Sequence, residues 1–408
     1  MKSTIGSRLS LYASILLTIL ISLFLAWNSA RNWLAYVYAG DPPPEGFMDA
    51  ISIESGNSDF YFLLGQYYDN YDISTPRDRV YNLYRSALEL NPLNYNYWYY
   101  LAEFLSEEGK RDKALFALHQ ATELSPGVVA LRWRAGMLAS RLGDEKALAD
   151  NLSPVMAFDP ERRGKAFTVV WQSLRNGDKI LKIIPEIALP EYMNFLIETR
   201  RIPEAQKAFG KFSNIKEIPE STFLRFVSML IEENMIESAK HTWVSKFGDW
   251  DGIWNGNFDK GLTNGGFDWT FNDVQGAKIT MDNNTGGKGN SVKIEFDGTN
   301  NVDFYNFRQH VPVEGNTRYE LSAFMKSQDL STRNGLFWEV YCPRSKELDA
   351  KTEEVLGTTD WHPVTVTFQT PEGCNFLRIV LRRSTSDEIH GNISGTVWID
   401  DIALKKIN

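Results

Sequence analysis

The chain has 408 residues and a formal charge of −9, from 43 Lys and Arg against 52 Asp and Glu; that length calls for two or three folding units, and that charge excludes a phosphate-neutralising coat for nucleic acid. Its two cysteines, Cys342 and Cys374, exclude a disulfide-dense scaffold, a four-cysteine zinc site and an iron–sulfur protein. Five scattered histidines, at 119, 241, 310, 362 and 390, lack the three-to-five-residue spacing of common zinc motifs, while a 13% aromatic content supplies rings for large cores.

Residues 1–8 carry Lys2 and Arg8, and residues 9–30 carry no charge. As a helix the uncharged stretch reaches about 33 Å, enough to cross a bilayer, and it is apolar all round instead of on one stripe. It exceeds the apolar region of about 7 to 15 residues in a signal peptide, so the spacing predicts a retained signal anchor over a cleaved signal, although Val37-Tyr38-Ala39 offers a weak cleavage site. The basic flank predicts the N-terminus in the cytoplasm and everything beyond residue 40 periplasmic or extracellular, with the lipid bilayer as one partner. Residues 31–56 read as a spacer, stiffened at Asp41-Pro42-Pro43-Pro44-Glu45-Gly46 by extended polyproline geometry.

Pro92, Pro126 and Pro160 each follow a polar residue and recur every 34 residues, a period that marks a helical repeat. Within 95–128, the spacing of Trp98, Leu101, Ala102, Ala114, Leu118, Ala121 and Pro126 resembles the tetratricopeptide repeat at nearly every signature position. An earlier copy carries Leu64-Gly65 and Ala87, with about three extra residues near Ser74-Thr75-Pro76, and a later one keeps Gly136 and Gly143 but has Leu148 where a small residue is expected. Helical patterning continues to 247, where Ala205 with Phe209 and Ala239 with Trp243 keep the small-large spacing of second helices. The expectation is an all-α solenoid over 57–247, degenerate after about 160, with helical hairpins of another kind as the alternative for its later part. The resemblance places a partner groove at Phe62, Gln66, Asn96, Tyr99, Glu103 and Trp133, suited to a membrane protein or envelope complex. Packing of Tyr99 and Trp133 against neighbouring repeats is the competing reading.

Near 250 the pattern changes to short alternating runs between Gly and Asn turns, which predicts an all-β jelly-roll sandwich over 253–408. Strands are expected near 276–282, 290–297, 302–313, 316–327, 335–342, 362–370, 374–383 and 395–405. Asn255-Gly256-Asn257-Phe258-Asp259, Gly289-Asn290-Ser291-Val292-Lys293-Ile294 and Val397-Trp398-Ile399-Asp400-Asp401-Ile402 together resemble the galactose-binding-like jelly rolls that include carbohydrate-binding modules of families four and nine. That resemblance implies a polysaccharide or glycan as partner.

Alternation gives an independent reading of the faces. It turns Val311, Val313, Tyr319, Leu321, Met325, Trp338, Val340, Leu377, Ile379 and Leu381 inward. Asn306, Arg308, His310, Glu320, Phe324, Phe337, Glu339, Tyr341, Phe376, Arg378 and Arg382 turn outward. Rings suit the apolar faces of pyranoses, and Arg, Glu and Asn pair with hydroxyls, so Asn306, Arg308, Phe337, Glu339, Tyr341 and Arg378 are the candidate carbohydrate-binding residues. A solvated strand face with cross-strand pairs looks the same.

Catalytic motifs fail. Gly286-Gly287-Lys288-Gly289 leads into a strand and reads as a turn, not a phosphate loop, Asp400-Asp401 and Glu353-Glu354 point apart on strands, and no GxSxG elbow occurs. Cys342 and Cys374 are expected to pair in an oxidising compartment, or else to be two buried apolar thiols. The resemblance also implies a structural Ca²⁺ at Asp259 and Asp400, since alternation sets Asp400 beside Trp398, Ile402 and Leu404 and a buried carboxylate needs a cation or another partner. The combined expectation is a membrane-anchored, non-catalytic scaffold with a glycan-binding module, accessory to exopolysaccharide or cell-envelope polysaccharide assembly or export. Its rivals are a pure protein-assembly scaffold and a cryptic glycan-modifying enzyme, the latter requiring facing carboxylates roughly 5 to 9.5 Å apart.

Overall fold

The computed structural model describes residues 2–72, 74–212, 214–283, 289–387 and 391–407, with side chains from residue 11 onward. The turn expected at Gly286-Gly287-Lys288 lies outside the described residues. Two compact units divide the chain, Met1–Leu189 and Pro190–Asn408.

The first unit opens with α1 (Lys2–Ala39), 38 residues without a break, or about 57 Å of helix. It carries the apolar stretch Leu11–Ala39, long enough to cross a membrane by length and composition. The expected span at 9–30 is thus part of a longer helix, because 31–39 contain neither glycine nor proline and propagation stops only at Gly40. The expected extended spacer is corrected too. After a turn at 40–44 the chain forms α2 (Glu45–Ile53), with the prolines standing just before it, where missing amide donors cost least. Ala35 of α1, Ala50 of α2 and Phe60 share a small apolar cluster, and Arg31 donates from Nε to Glu54 at 2.8 Å.

Three helical hairpins follow: α3 (Ser58–Asn70) with α4 (Arg77–Leu90), α5 (Tyr95–Glu107) with α6 (Arg111–Leu124), and α7 (Val129–Leu142) with α8 (Glu145–Phe158). Asn57 and Asn94 cap first helices through side-chain oxygens, and Ala102, Ala114 and Ala121 are fully buried between helices. At Gly136 a Cβ would lie 2.3 Å from Leu152 Cδ2, so the small residue there lets α7 and α8 approach. A shorter pair, α9 (Pro160–Leu174) and α10 (Gly177–Ile183), continues the pattern.

The second unit starts with α11 (Leu189–Glu198), α12 (Ile202–Phe209), α13 (Glu220–Glu232) and α14 (Ile236–Phe247). These helices fall in the same compact unit as the strands that follow. Trp243, fully buried, meets Trp254 at 5.4 Å and Phe267 at 6.0 Å between ring centroids. Ser228 Oγ of α13 also accepts from the Gly266 amide at 2.9 Å. Composition changes where helix gives way to strand; the packing does not.

Among the described residues ten strands follow: β1 (Thr270–Phe271), β2 (Ala277–Asp282), β3 (Ser291–Asp297), β4 (Phe304–Pro312), β5 (Arg318–Leu330), β6 (Phe337–Tyr341), β7 (Asp349–Lys351), β8 (Gly357–Gln369), β9 (Phe376–Arg383) and β10 (Ser394–Lys406). They form two five-stranded antiparallel sheets ordered β1-β4-β9-β6-β7 and β2-β3-β10-β5-β8. Eight were expected; β1 and β7, at two and three residues, are too short to show alternation. The inward residues enter one core around Trp269, Trp338, Phe307 and Met325, with Val313 packed partly buried at its edge. Gly256 accepts from the Ile402 amide through its carbonyl at 2.9 Å, and a Cβ there would strike the Ile402 carbonyl oxygen, which explains the glycine of the opening Asn-Gly-Asn.

On β10 the expected facing is corrected. A register shift between Asp400 and Ala403, with Asp401 at φ 48°, inserts an extra residue. Val397, Ile399, Ile402 and Leu404 therefore face the core, while Trp398 turns outward and donates to Asp282 at 2.9 Å. Asp400, 3% exposed, shares that outward side by alternation and not the side of Ile402 and Leu404.

Cys342 and Cys374 form a disulfide with Cα atoms 6.2 Å apart, tying the end of β6 to the approach to β9. Replacing both by Ser should lower the stability of this unit by about 3 to 4 kcal/mol in the chain-entropy model. Denaturant unfolding with and without reductant measures it, and the reductant should shift the wild type but not the variant.

Candidate functional site

The outer face of the sheet β1-β4-β9-β6-β7 gathers the polar side chains that alternation excludes from the core. Register sets them in rows. Arg308 of β4 stands opposite Val380 of β9, which stands opposite Glu339 of β6, and His310 stands opposite Arg378, which stands opposite Tyr341. Together with Asp303, Tyr305 and Arg382, the residues Arg308, Glu339, Tyr341, Arg378 and Val380 line a hollow of about 400 Å³. Four of the six candidate carbohydrate-binding residues are thus brought together.

The other two are not in its lining. Asn306 sits in the irregularity between Phe304 and Phe307; its carbonyl accepts from the Asn272 amide, and Tyr305, 49% exposed, takes the lining position. Phe337 points outward but is closed off, at 7% exposure, with Lys351 Nζ 5.9 Å from its ring centre. Asp303 and Tyr305 escape sequence reasoning because an irregular strand start breaks alternation. Glu320 and Phe324, outward as expected, lie on β5 in the opposite sheet.

Arg378 is held from both sides. Its Nε donates to His310 Nε2 at 3.1 Å and its Nη1 to the Tyr341 hydroxyl at 3.2 Å. Burial first, then the Arg378 and Arg308 guanidiniums, push the His310 imidazole down to about 3, so it is a neutral acceptor at neutral pH. Arg382 pairs with Asp303 at 3.0 Å and lies 3.9 Å from Glu339; Glu339 also meets Lys351 at 3.4 Å. Inward at the end of β9, fully buried Arg383 donates to the carbonyls of Val302, Asn334 and Gly391, tying loops at the end of the sandwich.

In the first unit the six groove residues do not make one open channel. Phe62 is buried against Tyr97 at 4.7 Å and Tyr100 at 5.3 Å, and Asn96 joins it in a hollow of about 470 Å³ with Tyr36 and Asp59. Tyr99, also buried, donates to Glu103 at 2.7 Å beneath Arg134, whose guanidinium carbon lies 3.9 Å from the ring centre. Gln66 and Trp133 are half-buried. A different, mostly apolar hollow of about 550 Å³ lies among Tyr81, Leu88, Trp98, Leu105 and Phe116 on α4, α5 and α6, with Phe116 57% exposed.

Asp259 is exposed and accepts from Asn257 Nδ2 at 2.6 Å, and Asp400 accepts from the Asp401 amide at 2.7 Å. Among the described residues no three His, Cys, Asp or Glu side chains group to hold a metal ion. Asp259 and Asp400 would supply only part of the six to eight oxygens that calcium takes, with backbone carbonyls filling the rest.

Residues 83–116 match the profile of the tetratricopeptide repeat, and no curated protein matches the chain. Among solved structures, a family-four carbohydrate-binding module is 17% identical over 38% of this chain and 99% of its own, with a TM-score of 0.30. The CBM22-1 xylan-binding domain from Paenibacillus barcinonensis is 15% identical over 38% of this chain and 92% of its own, at 0.26. YrrB, a tetratricopeptide-repeat protein with an unusual peptide-binding site, is 14% identical over 49% and 89%, at 0.29.

The His310 environment has a pH signature. Its folded value lies below the unfolded value of 6.5, so the unfolded chain binds the extra proton and the contribution to stability, whole above about 6.5, is lost as pH falls toward 3, at up to about 1.4 kcal/mol per pH unit. Denaturant midpoints of wild type and His310→Gln at pH 7 and pH 5 should converge at the lower pH.

Proposed function

We propose that this protein is a non-catalytic scaffold that presents the outer face of the β1-β4-β9-β6-β7 sheet to a glycan, uses its helical repeats to engage a protein, and is held to a membrane by α1. The observation that carries the reading is the convergence, in one open hollow, of a guanidinium fixed at both ends with two tyrosine rings and further hydrogen-bonding groups. Rings cover sugar faces and fixed donors read hydroxyls. The sandwich resembles carbohydrate-binding modules, and the repeats supply a separate protein-facing surface, so the chain is suited to link polymer to an envelope complex during exopolysaccharide or cell-envelope polysaccharide assembly or export. Both carboxylates that line the hollow, Asp303 and Glu339, are engaged by Arg382, which favours holding a glycan over cleaving one.

Glycan-array screening of the full-length protein, followed by titration of a polysaccharide that binds, tests the reading. Tyr341→Ala and Arg378→Ala should each weaken binding at least about tenfold, near 1.4 kcal/mol, whereas Glu320→Ala on the opposite sheet should leave it unchanged. A reducing-end assay should detect no product release; unchanged affinity in both face variants, or released product, contradicts the proposal.

The anchor and its orientation are tested separately. The full-length chain should stay in the membrane pellet after carbonate treatment, and a C-terminal alkaline phosphatase fusion should be active. Complete extraction by carbonate or an inactive fusion contradicts this part.

A further inference from the structure

The charges in the hollow do not cancel, and the imbalance carries information about the ligand. Three guanidiniums and two carboxylates line it. Both carboxylates are taken by Arg382, and Glu339 by Lys351 as well. Arg378 hydrogen-bonds only neutral groups among the described residues, the His310 ring and the Tyr341 hydroxyl. Arg308, two residues from His310 on β4, carries no ion pair among the described residues. Two guanidiniums on adjacent strands are thus left without an anion.

Resting on the glycan reading of this face, we infer that the hollow selects an acidic sugar, a uronic-acid-type residue whose carboxylate is seated by Arg308 and Arg378 while its ring lies against Tyr341 or Tyr305. A guanidinium presents a planar fork of donors that matches a carboxylate in two parallel bonds. Arg378 has its orientation set by His310 and Tyr341 and keeps the rest of its donors for the ligand, so little side-chain entropy remains to be lost on binding. Burial first, and then the two arginines, hold His310 neutral, so it leaves the charge of Arg378 uncancelled. The whole chain carries −9, so a polyanion without the right shape is repelled by the protein at large and gains only at this spot.

The experiment uses the full-length protein in uncharged detergent and matched pairs of oligosaccharides: galacturonate, glucuronate and mannuronate oligomers, each beside the same oligomer with its carboxyls reduced to alcohols. At least one acidic form should bind tenfold or more tighter than its reduced partner. Arg308→Gln and Arg378→Gln should each erase that preference, Arg378→Lys should keep part of it, and Arg318→Gln on the opposite sheet should leave it intact. Melting temperatures identify any variant that fails to fold, and Arg378→Lys then carries the comparison. If reduced oligomers bind as well as acidic ones, selection for an acidic sugar is wrong while the glycan reading stands. Binding of neither form overturns both. Polyglutamate binding as tightly as the best acidic oligomer overturns the sugar and leaves simple charge attraction.

Discussion

The functional face depends on the burial of one strand. β9 is the middle strand of its sheet, and Leu377, Ile379 and Leu381 are completely buried in the core between the sheets. With those three fixed, a period of two leaves Arg378 and Arg382 no direction but outward. A slip by one residue would send both guanidiniums into the core and three aliphatic side chains into water, so hydrophobic packing sets the position of the charge. The disulfide between Cys342 and Cys374 closes the same sheet at one end, and the buried Arg383 ties the loops at the other.

On this base the polar groups constrain one another. Pairing of Arg382 with Asp303 removes one guanidinium from competition, and His310, kept neutral, accepts from Arg378 without neutralising it. A carboxylate in the place of His310 would hold Arg378 equally well and would cancel its charge. The row His310, Arg378 and Tyr341 therefore combines rigid placement with an uncompensated cation, a combination suited to recognition more than to stability.

Much of this was legible in the sequence because it rests on period. The 34-residue spacing of prolines located the helical hairpins, and alternation separated core from face on β4, β6 and β9. Features that break period were not legible. The extra residue at Asp400 and Asp401 reversed the facing of Trp398 and Asp400 relative to Ile402 and Leu404, and the irregular start of β4 exchanged Asn306 for Tyr305 in the hollow. Sheet membership is a long-range property, which is why alternation turns Glu320 and Arg308 outward alike although they lie on opposite sheets. Charge patterning does not mark the end of α1, because the helix runs past the uncharged stretch at 9–30 as far as Gly40.

Hydrogen exchange in the presence of a bound polysaccharide tests the central claim, that this sheet face is the binding surface, most directly. Ligand should slow exchange in peptides covering β4, β6 and β9 and leave β5, β8 and the helices α3 to α8 unchanged. Protection confined to the helices, or to β5 and β8, would contradict it.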